Sequence, residues 1–157
     1  MDTIYIETSI VSHATARPSS DIQIAAVQHQ ARNWWSTERS NFELVTSQLV
    51  IDEASAGDPS AAADRLRLLD GLPTVPINDD VRLLARAIVS ASIMPAKAAA
   101  DALHVAAAAV AGVQYLLTLN CKHIANADML PKIYDTLRDA RFRPPLILTP
   151  EEFSGHA

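Results

Sequence analysis

Thr3-Ile4-Tyr5-Ile6-Glu7-Thr8-Ser9 opens the chain with a short apolar run, an acid and two small hydroxyl residues. The β-branched and aromatic side chains of Thr3–Ile6 predict a buried strand. Glu7 then falls just beyond the strand's C-terminal end, with Thr8 and Ser9 as polar turn residues that can orient it through hydrogen bonds. Open α/β sheets build their sites at that edge. Alone, such an acid reads as an ordinary loop residue, so its meaning depends on what the rest of the chain brings beside it.

Outward from this strand the chain alternates. Asp21 carries helix-start chemistry for a helix to about Arg39, and Phe42–Thr46 predicts a second strand. Gln48–Ala56 reads as a helix closed by Gly57, and Asp58-Pro59 starts another that ends near Gly71. Thr74–Ile77 is a brief third strand. Asn78 caps a helix to about Ser90, and Pro95 opens an alanine-rich helix to Ala111, stopped by Gly112. Gln114–Leu119 predicts a fourth strand, Leu130–Arg141 a helix, and Pro145–Leu148 an edge strand where proline is tolerated. Thr149-Pro150-Glu151-Glu152 has capping-box spacing. Strands alternating with helices predict an α/β fold with a mostly parallel central sheet.

The 157 residues suffice for a real core, and one domain over residues 1–157 is expected, since no repeat or linker interrupts the pattern. A hydrophobic fraction of 49% against 20% charged residues excludes a disordered chain. The net charge of −5 argues against a module that holds nucleic acid by a basic face, though a metal-dependent nuclease escapes that objection because its ion supplies local positive charge. Cys121 is the single cysteine, which excludes an internal disulfide and a thiol-rich metal site. The chain start lacks a signal-peptide pattern, and the apolar run from Val105 to Val113 is too short to span a bilayer. A soluble, cytoplasmic protein with no membrane partner is expected.

Three further acids or amides stand in suggestive places. Asp101 lies among alanines and aliphatics, with Lys97, His104 and Val105 at helical spacing, so it needs either a buried cationic partner or a surface pair with Lys97. Asp52 and Glu53 point roughly 100° apart on a helix, so one of them faces solvent and the other can face a cleft. Asn120 ends the fourth strand, where it can accept from a metal-bound water or make a turn. Carboxylates meeting at one sheet edge repel one another unless a cation joins them, and Mg²⁺ or Mn²⁺ suits oxygen ligands. His104 and His123 lack zinc-type spacing; the first reads as packed at a helix edge and the second as steadying the loop after Asn120. Trp34-Trp35 reads as core or interface rather than a base-stacking platform. A phospho-accepting receiver domain would want an acid pair after the first strand and a lysine after a late one, and neither is present.

In this order the motifs resemble the PIN-domain family, and specifically VapC-type toxins of toxin–antitoxin pairs. Glu7-Thr8-Ser9 is similar to the family's first motif, and Ser47 with Glu53 to its second, which favours Glu53 over Asp52. Asp101-Ala102-Leu103-His104 is similar to the third, and Thr118 with Asn120 to the fourth. The resemblance implies a three-layer α/β/α sandwich and a Mg²⁺- or Mn²⁺-dependent endoribonuclease. It also implies an RNA substrate, a cognate antitoxin and a homodimer. Carried over residue by residue, it makes Glu7, Glu53, Asp101 and Asn120 the catalytic set, with Glu7 and Asp101 as the main metal ligands and Thr8, Ser9 and Thr118 in support. Two departures stand out: Glu7 replaces the usual aspartate and sits one methylene further out, and Asn120 leaves the fourth position without a carboxylate. Fewer negative ligands weaken metal binding, so the alternative implied is a PIN-like protein that binds RNA or a protein partner and cleaves poorly.

Overall fold

The computed structural model describes residues 1–91 and 93–153. Five strands form one sheet in the order β3-β2-β1-β4-β5, every neighbouring pair parallel. They are β1 (Thr3–Ile6), β2 (Glu43–Ser47), β3 (Thr74–Val75), β4 (Tyr115–Leu117) and β5 (Leu146–Leu148). Between them run α1 (Thr8–Thr15), α2 (Ile22–Thr37), α3 (Gln48–Ala54), α4 (Pro59–Leu69), α5 (Asp79–Ser90), α6 (Ala99–Ala111) and α7 (Leu130–Asp139), with α8 (Pro150–Phe153) last.

Right-handed crossovers explain the layering. The chain steps from β1 to β2 to β3 in one direction, then jumps back over both to β4 and on to β5. The helices of the first run therefore cover one face and those of the second run the other. Contacts agree: α1 packs on α2, α3 and α4, while α5 packs on α6 and α7. This is the expected three-layer α/β/α sandwich. Ile4, Tyr5 and Ile6 are fully buried because β1 is central and covered on both faces. The reversal of strand order falls between β1 and β4, so the crevice of the sheet opens at the C-terminal ends of those two strands.

The local signals mostly act where the sequence places them. Asp21, Asp58 and Asn78 each cap a helix by accepting a backbone N–H, and Pro59 sits in the first turn of α4. Thr149 N–H donates to Glu152 Oε1 at 3.0 Å, as a capping box requires. Gly112 closes α6 in the left-handed region at φ 72°.

The principal difference is α1, a helix where turn residues were expected. Its β-branched side chains have weak helix propensity, which hid it. Glu7 caps it by accepting from Ser9 N–H, and burial of Ile10 and Val11 decides in its favour. Smaller corrections fall at element ends. α2 stops at Thr37 before a 3₁₀ turn over Arg39–Asn41, α3 stops at Ala54, and α7 stops at Asp139. β2 starts one residue later than expected, and β3 and β4 are shorter than expected. Trp34 is 1% exposed and packs with Phe42 and Phe153, so it belongs to the core as expected. No helix among the described residues is long and apolar enough to cross a membrane.

Candidate active site

β1 delivers Glu7 to the crevice, and β4 delivers Thr118 beside it. Thr118 Oγ1 donates to Glu7 Oε1 at 2.5 Å, and the Ser9 hydroxyl donates to the same oxygen. Ser9 N–H donates to Glu7 Oε2 at 3.1 Å. Ser9 Oγ in turn accepts from Leu119 N–H at 2.8 Å, and Thr118 Oγ1 accepts from Asn120 N–H at 3.0 Å. The two strand ends are thereby tied together through one carboxylate, which is only 5% exposed as a residue. A buried acid held by this many donors keeps a single position.

α3 supplies Glu53. Its Oε1 accepts from Thr8 Oγ1 at 2.5 Å and lies 2.7 Å from His104 Nε2. Among the described residues Oε2 has no protein donor. Ser47 caps α3 by accepting from Val50 N–H, which sets the helix register and turns Glu53 inward. Asp52 is exposed and accepts from Gln48 Nε2, so the choice between the adjacent acids falls on Glu53.

α6 supplies Asp101 and, one turn later on the same face, His104. Asp101 Oδ2 lies 3.0 Å from His123 Nδ1, so its partner is this histidine rather than Lys97. His123 N–H donates to Asn120 Oδ1 at 3.1 Å. The Asn120 side chain therefore makes the turn after β4, and its backbone carbonyl accepts from Ile124 and Ala125 N–H.

Single ligand atoms of Glu7, Glu53 and His104 lie within 4.8 Å of one another. Asp101, expected as a main ligand, is not in this group; its carboxylate is engaged with His123. The donor set of carboxylate oxygens fits a hard divalent cation, and one imidazole is compatible with Mn²⁺. Among the described residues Glu53 and Asp101 each face a histidine, and no lysine or arginine pairs with either acid.

Burial works to raise the pKa of Glu53. The hydrogen bonds from His104 and the Thr8 hydroxyl outweigh it, so the net shift is downward. The Tyr5 hydroxyl is pushed far above its ordinary value, first by burial, with the charges of Glu7 and Glu53 adding to it, and stays protonated. Burial also holds His13, half-buried in α1, below its ordinary value against the pull of Glu7.

Ser9 and Thr118 thus orient Glu7 as expected, but the Thr8 hydroxyl goes to Glu53 instead. One residue escaped the sequence reading and a second was misplaced by it. Tyr5 was visible only as strand core, yet its hydroxyl lies 2.8 Å from His104 Nδ1 and 2.7 Å from Ser47 Oγ. His104 is not at a helix edge but fully buried. Its position three residues after Asp101 was the available signal. A surface cavity of about 440 Å³ lined by Asp2, Gln114 and Arg141 lies at the opposite, N-terminal edge of the strands, away from the acids.

The family model described as "PIN domain" matches residues 4–128. Among solved structures, VapBC2 from Rickettsia felis bound to a DNA fragment from its promoter aligns with a TM-score of 0.57 at 12% identity, over 94% of this chain and 98% of that one. FitAB bound to an IR36 DNA fragment also gives 0.57 at 12% identity, over 98% and 99%. Mycobacterium tuberculosis VapC20, a sarcin-ricin loop cleaving toxin, gives 0.54 at 16% identity, over 76% and 92%. At such identities these likenesses speak for the fold. No curated protein matches the chain.

Proposed function

The chain belongs to the PIN domain family, and from that premise we propose that it is a metal-dependent endoribonuclease acting as a VapC-type toxin. The observation that carries the proposal is the gathering of Glu7 and Glu53 with His104, ligand atoms within 4.8 Å of one another, at the switch point of a parallel sheet, with Asp101 one helical turn before His104 on α6. Acids so gathered repel one another, and a divalent cation relieves the repulsion.

Glu7 and Asp101 would hold Mg²⁺ or Mn²⁺ in this reading, and Glu53, whose Oε2 accepts no donor among the described residues, would support them. When bound, the ion polarises the scissile phosphate and acidifies a water. Thr118 and Ser9 keep the Glu7 carboxylate in place. Asn120 shapes the turn that carries His123 to Asp101. An RNA strand brings its own negative charge to an acidic chain, so binding at this edge depends on the cation. The similar structures named for toxin–antitoxin pairs support a cognate antitoxin as partner, and a homodimer goes with that reading.

One observation favours the alternative, a PIN-like protein that binds RNA or a protein and cleaves poorly. Both Glu7 oxygens already accept protein donors, and Asp101 is engaged with His123. The deciding experiment is cleavage of total and transfer RNA with Mn²⁺, Mg²⁺ or EDTA, beside Asp101→Asn. Cutting that needs metal and disappears in the variant supports the nuclease. Absence of cutting, together with absence of Mn²⁺ binding by calorimetry, supports the alternative.

A further inference from the structure

Tyr5, Ser47 and His104 form a buried polar chain that the reading above leaves without a task. Each of the three is 0% exposed, and each comes from a different element: β1, β2 and α6. Burying this many polar groups is costly unless every hydrogen finds an acceptor. The chain runs Ser47 Oγ to Tyr5 Oη at 2.7 Å, Tyr5 Oη to His104 Nδ1 at 2.8 Å, and His104 Nε2 to Glu53 Oε1 at 2.7 Å.

We infer that His104 is a positioning residue for Glu53, and that Tyr5 and Ser47 fix its imidazole as the Nε2–H tautomer so that it donates to Glu53 Oε1. Hydrogen counting leads to this direction. Ser47 Oγ accepts from Val50 N–H, and its own hydroxyl hydrogen has no acceptor among the described residues other than Tyr5 Oη, so it goes to Tyr5. Tyr5 then donates to Nδ1, which leaves the ring's hydrogen on Nε2, aimed at the carboxylate. The reverse direction starts with Nδ1–H donating to Tyr5 and Tyr5 donating to Ser47. It strands the Ser47 hydroxyl hydrogen, for which the described residues offer no other acceptor. With Thr8 donating to the same oxygen, both donors fall on Oε1. Glu53 is thereby locked by one oxygen and presents the other.

The inference rests on Glu53 belonging to the site, but its test does not use RNA. Nitrogen-15 NMR of the His104 side chain, in the metal-free protein and with Mg²⁺ added, reads the tautomer directly. The expected result is Nε2–H in both states. Tyr5→Phe is expected to mix the two tautomers and to weaken Mn²⁺ binding by roughly tenfold, the lower end of what losing such an outer hydrogen bond costs a metal site. His104→Gln, whose amide N–H can replace the donor, is expected to stay closer to wild type than His104→Ala.

An Nδ1–H ring in the free protein would overturn the inference. Loss of the Nε2 hydrogen on adding Mg²⁺ would make His104 a ligand and overturn it too. Tyr5→Phe with unchanged tautomer and affinity would reduce the chain to core packing. If Tyr5→Phe does not fold, the wild-type spectrum alone decides. A protein that cuts no RNA but holds the Nε2–H tautomer would fail the nuclease reading and leave this one standing.

Discussion

His104 Nε2 lies 2.7 Å from Glu53 Oε1, yet the imidazole is 1% exposed and the carboxylate side chain 34% exposed. A fully buried group on α6 thus reaches the partly solvated acid of α3, and the polarity of the protein interior is coupled to the site's surface. The same bond helps to hold the Glu53 carboxyl below its ordinary value against the effect of burial.

Because the pKa of Glu53 is lowered below 4.5 in the folded state, its contribution to stability is complete above that value. It is lost as pH falls through the folded pKa. Acid unfolding of the metal-free protein should therefore show Glu53→Gln less stable than wild type near neutrality, the gap closing in acid. A gap of constant size across the acid limb would contradict the shift.

Thr118→Val keeps shape but removes a hydroxyl that donates to Glu7 Oε1 and accepts from Asn120 N–H. Leaving these groups unpaired at a fully buried position should cost about 1–3 kcal/mol. Urea denaturation measures it. A loss below a few tenths of a kcal/mol would mean that water replaces the hydroxyl there.

Glu7→Asp pulls the carboxylate one methylene back from the Ser9 and Thr118 hydroxyls. Mn²⁺ affinity by calorimetry should fall roughly tenfold, as for other sites whose supporting bonds are lost. Tighter binding by the aspartate would show that the longer side chain is a handicap rather than a fit.

Asp101→Asn should lower RNA cleavage by roughly 100-fold or more, the order expected when an electrostatic partner of the transition state is removed. Its thermal midpoint without metal should be unchanged or higher, since one of several crowded acids is neutralised. A variant that unfolds would assign Asp101, with His123, to the architecture.

Arg141 holds φ 67° at the end of α7, with Arg141 N–H donating to Arg138 C=O and Phe142 N–H to Leu137 C=O. Gly112 does the same after α6 without strain. The left-handed conformation costs a side-chain residue about 1–2 kcal/mol, and glycine's extra freedom when unfolded offsets about 0.4–1 kcal/mol of that. Arg141→Gly should then stabilise by roughly 0.5–1 kcal/mol, read from chemical denaturation. A destabilised variant would mean that the arginine side chain contributes more than its backbone loses.

Much of this protein was legible in its sequence because the signals are local. Capping residues, the left-handed glycine and the apolar run Ile4–Ile6 act through neighbours a few positions away, so they determined the alternation of strands and helices and hence the α/β class. The place of Glu7 just past a central strand was equally a local fact. Helix α1 escaped because its propensity is poor and only the burial of Ile10 and Val11 stabilises it. What tertiary structure alone decided was partnership. Thr8 bonds Glu53 across 45 positions of chain, Tyr5 meets His104 across 99, and Glu7 meets Thr118 across 111. No pattern in a linear sequence encodes which hydroxyl serves which carboxylate, because that depends on the order in which parallel strands lie side by side. The choice of β1 and β4 as neighbours set the crevice, and only within it did a strand tyrosine and a helix histidine become supports of the site.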